Sequence, residues 1–146
     1  MYIKLTIVFA ISILVLGCDK NEVLEKPLMQ PKCLPSQSQC QISTAFGNFN
    51  ILFNQEEIIT ETPFEIHISS QMQVSDYSVS GYMEGKDMFM GKIPLFFENV
   101  EGALVAKTIL GSCSQERMIW RTWIEIRKNN SDEIVTRFVD FESKRR

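Results

Sequence analysis

Apolar and polar residues alternate with a period of two through most of the chain beyond residue 48. Phe49, Ile51 and Phe53 alternate with Asn48, Asn50 and Asn54, which predicts a half-buried strand. After Thr62-Pro63, the apolar Phe64, Ile66 and Ile68 alternate with Glu65, His67 and Ser69. A third strand is predicted from about Met72 to Met83, with Tyr77 and Val79 inward and D-Y-S-V-S-G marking a bulge or an edge. Residues 93 to 97 are short and apolar on both faces, and E-N-V-E-G turns them into Ala103 to Leu110, where Lys107 marks one face as partly wet. In the clearest strand, Met118, Trp120, Thr122, Ile124 and Ile126 alternate with Ile119, Arg121, Trp123, Glu125 and Arg127. Trp120 therefore belongs to the core, and Trp123 stands on the other face, read as a surface aromatic covered by arginine ahead of a partner contact. K-N-N-S-D-E turns the chain into a last strand, Ile134 to Phe141. About seven short strands, with turn signals roughly every eight to twelve residues and no convincing helix, predict an all-β fold, an antiparallel immunoglobulin-like β-sandwich.

The first residues follow another pattern. Lys4 precedes an apolar run from Leu5 to Leu16 that ends in V-L-G-C at Cys18. The run falls short of the roughly 20 apolar residues that cross a bilayer core. V-L-G-C resembles the lipobox of bacterial lipoproteins, in which the cysteine is acylated and becomes the first mature residue. The expected organisation is a signal peptide over 1–17, a lipidated Cys18 with an extended tether over 18–40, and a sandwich domain over 41–146. Pro27, Pro31 and Pro35 interrupt the polar tether. Asp19 after the acylated cysteine resembles the signal that retains lipoproteins in the inner membrane, so the favoured location is the cell envelope, on the inner membrane facing the periplasm.

Removing the first 17 of 146 residues leaves 129, enough for one core. Lys4 is the only charge lost from 15 basic and 18 acidic residues, so the mature net charge is −4. No basic stripe gathers, and no nucleic-acid partner is expected. With Cys18 taken by lipid, Cys33, Cys40 and Cys113 remain in an oxidising compartment. Cys33 and Cys40 flank a turn-rich L-P-S-Q-S-Q and form the leading disulfide pair, worth about 2.5 kcal/mol by loop entropy. Cys113 is then a free thiol; the two pairings that join Cys113 to Cys33 or to Cys40 stay open.

Catalysis is not expected: there is one histidine, no Gly-x-Ser-x-Gly elbow and no phosphate-cradling glycine loop. The unusual stretch is G-Y-M-E-G-K-D-M-F-M-G-K-I-P from Gly81 to Pro94, which places Met83, Met88 and Met90 among three glycines. Thioether and thiolate sulfur select Cu(I) over hard cations. Met88 and Met90 at i and i+2 leave one face of an extended segment, with Cα atoms about 6.6 Å apart. If the turn after Leu110 lies at the same end of the sandwich, Cys113 is a third ligand and Met83 or Met118 a fourth. His67 shares a polar strand face with Glu65 and is read as a solvent-facing residue ahead of a ligand. Methionine also fills gaps in cores, and that reading is strongest for Met118, on the face of Trp120.

The string G-x-x-x-x-x-x-M-x-M-G from Gly81 to Gly91, with L-G-S-C-S and M-I-W following, resembles small periplasmic immunoglobulin-like domains of the YtkA/FixH type. It is closest to lipoproteins that share a C-x6-C pair like Cys33 and Cys40. The resemblance covers about Cys33 to Ile126. It implies copper handling, with a respiratory oxidase or a copper-transfer protein as partner. The single histidine departs from the richer ligand sets of His-and-Met copper chaperones, and FixH-like proteins carry a transmembrane anchor where a lipid is expected here. The expectation is a lipid-anchored protein that binds or transfers Cu(I), or assists oxidase assembly. Its rival is a metal-free structural or interaction lipoprotein whose Met-rich loop contacts a membrane partner.

Replacing Cys18 with Ser should abolish acylation and move the protein from the membrane to the soluble fraction, as followed by lipid labelling and fractionation. A Cys18→Ser protein that is still lipid-labelled would contradict the anchor.

Overall fold

A computed structural model describes residues 39–146; the expected signal peptide, Cys18 and the expected tether up to residue 38, Cys33 included, lie outside the described residues. Ten strands follow in chain order: β1 (Gln39–Thr44), β2 (Gly47–Phe53), β3 (Ile58–Ile59), β4 (Phe64–Ser70), β5 (Tyr77–Gly85), β6 (Lys92–Phe96), β7 (Glu98–Val100), β8 (Ala103–Thr108), β9 (Arg117–Lys128) and β10 (Ile134–Lys144). They form two five-stranded sheets, ordered β1-β2-β4-β8-β7 and β3-β10-β9-β5-β6. All pairings are antiparallel except the parallel contact of β3 with β10.

The order β2-β4-β8-β7 against β6-β5-β9-β10 is the A-B-E-D against C′-C-F-G arrangement of immunoglobulin sandwiches. Three short additions raise the count from the seven strands expected to ten. β1 pairs with β2 because Cys40 and Ile42 bury their side chains in the core. The two-residue β3 crosses to the other sheet beside Ser143 and Lys144. β7 returns into β8 through Glu101-Gly102, both at positive φ, as a two-residue hairpin of this twist requires. Residues 74–76, expected within the third strand, form a 3-10 turn instead, so β5 starts at Tyr77 and lies between β9 and β6 rather than at an edge.

The core fills the space between the sheets. Phe53 packs on Phe64 and Phe141 with ring centroids 6.3 and 4.9 Å away. Trp120 is fully buried, and its indole N–H donates to Ser143 Oγ at 3.0 Å, which satisfies the one donor that the large ring takes out of water. Burial alternates strictly along β9 from Met118 to Ile126, as the period predicted.

Candidate soft-metal site

One end of the sandwich gathers the end of β5, the starts of β6 and β9, and the end of β8. Gly85 pairs with Trp120, Glu84 with Lys92 and Phe64 with Thr108. The loops over residues 86–91 and 109–116 therefore leave the sheets at this same end.

The loop over 86–91 starts as a continuation of β5, with Lys86 N–H donating to Ile119 O at 2.9 Å. It then folds inward. A Cβ on Gly85 would overlap both the Met88 carbonyl oxygen and the Met118 methyl, so this close approach needs a glycine. Met88 and Met90 are half-buried against the core, whereas Phe89 between them is 87% exposed. The two thioethers thus share a side and the phenyl ring takes the other. Gly91, at φ 74°, turns the chain into β6.

Met83 and Met118 lie deeper. Met83 is fully buried on the inward face of β5, paired with Thr122, and Met118 is buried at the start of β9, paired with Ser143. In the 109–116 loop Cys113 is a free, half-buried cysteine packed against the core, its Sγ 3.7 Å from the Gln115 carbonyl. Leu110 O accepts from Glu61 N–H at 2.9 Å and pins that loop to the segment between β3 and β4.

His67 is not part of this end. It lies mid-strand on the outer face of the other sheet, between Leu52 and Val105, with Nε2 2.9 Å from Glu65 Oε2. That hydrogen bond, opposed by partial burial and aided by Lys107, holds the Glu65 carboxyl below its usual range. Among the described residues no three His, Cys, Asp or Glu side chains come together to hold a metal. What is concentrated at the loop end is sulfur.

Alternation alone did not reveal how the loop is held on its outer side. Asp140 faces outward on β10 yet is only 1% exposed. Arg121 grips it through Nε and a terminal nitrogen at 2.8 and 2.9 Å, and Lys86 Nζ donates to Oδ2 at 2.9 Å. Burial raises the Asp140 pKa, but hydrogen bonds and charge from Arg121 and Lys86 outweigh it, so the net shift is downward. Arg121 in turn lies 3.8 Å over the Phe138 ring and 5.8 Å from that of Trp123, whose N–H donates to Glu84 at 2.7 Å. The sequence marks Asp140 only as a polar residue between Val139 and Phe141; the β9–β10 register sets it opposite Arg121.

No family model and no curated protein matches the chain. The chain is similar in fold to a crystal structure of a DUF4426 family protein from Pseudomonas aeruginosa PAO1, with a TM-score of 0.50, 13% identity, and coverage of 73% of this chain and 94% of that one. At that identity the likeness extends to the β-fold alone.

Asp140→Asn leaves two cations without their counter-charge and puts an NH2 donor where one carboxylate oxygen accepts. Because Lys86 and Arg121 keep a third to a quarter of their side chains in water, the cost should fall below the buried-pair range, at about 2–3 kcal/mol. The folded pKa lies below the ordinary aspartate value, so this stabilisation is complete above that ordinary value and disappears as pH falls through the folded pKa. Urea unfolding across acidic pH should show wild type losing stability over that window and Asp140→Asn lacking this component. Parallel curves for the two proteins would contradict it.

Proposed function

We propose that this chain is a lipid-anchored, extracytoplasmic immunoglobulin-like protein that binds Cu(I) at its loop end and passes it to, or receives it from, a membrane partner such as a respiratory oxidase or a copper-transfer protein. The observation that carries the reading is a convergence. Two half-buried thioethers, Met88 and Met90, and the free half-buried thiol of Cys113 lie on loops at one end, where the Met118 methyl and the Met88 backbone meet beside Gly85 and Met83 is buried two residues earlier in β5. Cu(I) is soft, tolerates two to four sulfur ligands and needs no rigid geometry, so long methionine arms suit it. Met88 and Met90 are the primary donors in this reading, with Cys113 the third and Met83 the inner fourth. Half-burial keeps the metal out of bulk water while leaving a route for exchange. The resemblance to YtkA/FixH-type domains supports the same assignment. The anchor is Cys18, and a Cys33–Cys40 disulfide would leave Cys113 as the thiol available to metal.

A second reading rests on Phe89. A phenyl ring 87% exposed at a loop tip suits an apolar contact with a membrane partner, and it needs no metal.

Changing Met88 and Met90 together to Leu separates the two readings. Leucine roughly conserves volume, so stability should change by less than about 1.5 kcal/mol per site. Cu(I) affinity, measured by chelator competition, should fall at least about tenfold, a loss of some 1.4 kcal/mol. Equal Cu(I) affinity in parent and variant, or none in the parent, would reject the metal site and favour the interaction protein.

A further inference from the structure

We propose that the outer face of the β3-β10-β9-β5-β6 sheet binds one pyranose ring of a neutral saccharide, at a site separate from the sulfur-rich end. A shallow hollow of about 190 Å³ opens there, lined by Ser80, Gly81, Tyr82, Trp123, Glu125 and Thr136. Register explains its shape. Tyr82 pairs with Trp123 in one row, and their rings, 6.4 Å apart and 29° from parallel, form an apolar wall. In the next row Ser80, Glu125 and Thr136 sit side by side on β5, β9 and β10 and form a polar floor of two hydroxyls and a carboxylate.

The wall is set in advance of any ligand. Trp123 spends its N–H on Glu84 at 2.7 Å, and the Phe138 ring meets it edge-on at 5.1 Å, so the indole offers surface rather than a donor. Glu125 accepts only, while Arg127, 3.6 Å away, supplies donors beside it. A pyranose matches this division, because one face of the ring is C–H and its rim carries hydroxyls that both donate and accept. The charges around the hollow offset one another: Lys92 stands 4.2 Å over the Tyr82 ring and Arg121, already paired with Asp140, lies 5.8 Å from that of Trp123, while Glu84 and Glu125 are negative. A neutral ligand needs no counter-charge here, whereas a cation or an anion would meet a like charge as close as an opposite one.

The test is a titration of the isotope-labelled full chain in detergent with cellotriose, maltotriose and chitotriose, and separately with choline, followed by amide and indole N–H resonances. At least one trisaccharide should shift the Trp123 indole signal and the amides of residues 80–82 and 136, and leave the buried Trp120 indole in place. Glu125→Gln should weaken that binding at least about tenfold, the effect of losing one hydrogen bond to a charged group, with resonance dispersion and melting temperature unchanged. No shift with any trisaccharide, shifts elsewhere on the protein, unaltered affinity in Glu125→Gln, or choline moving the same resonances in place of the sugars would each overturn the proposal.

Discussion

The missing Cβ of Gly85 decides how this sandwich closes. Two sheets packed face to face leave their core open at the ends, and apolar side chains there must be covered by loops. Here the chain leaves β5 and folds straight back, so that the Met88 backbone occupies the space where any other side chain at position 85 would start. The fold-back covers Met118 and sets two more methionines against the core. It also leaves Lys86 on the outer face within reach of Asp140. One short loop is thus held from both sides, by packing inside and by an ion pair outside.

Those two restraints differ in kind. The inner one is dispersion between flexible, polarizable side chains, which can rearrange around a bound ion at little cost. The outer one is directional: a carboxylate removed from water, bidentate to one guanidinium and bonded to one ammonium. The proposed metal site would gain a fixed base from this, because the Lys86–Asp140 bond holds the start of the loop that carries Met88 and Met90. The same network continues through Arg121 to Phe138 and Trp123, and so ties the loop to the outer sheet face that carries the aromatic hollow.

Much of the fold was legible because β-sheet burial has a period of two. Residues 118–127 declared their inner and outer faces outright, placing Trp120 inside and Trp123 under Arg121. His67 was also readable, since its neighbour two positions away, Glu65, shares its face and bonds to it. β1 was missed because it follows a proline-broken polar run and signals burial only through Cys40 and Ile42. The strand expected from about Met72 began later because residues 74–76 turn as a short helix. Period alone also could not show that Asp140, an outward residue, is buried, because its cover comes from partners on β9 and beyond β5. At the candidate site the sequence displayed the sulfur; that loops over 86–91 and 109–116 share one end follows from strand order, which spacing does not reveal.

The proposed function depends on sulfur from this end holding Cu(I). X-ray absorption at the copper edge of the Cu(I)-loaded full chain tests it most directly, because the first coordination shell identifies the donor atoms without reference to affinity. The expected shell holds sulfur scatterers only, and it loses sulfur when Met88 and Met90 become Leu. A first shell of nitrogen and oxygen, with the outer-shell pattern of an imidazole from His67, would contradict it.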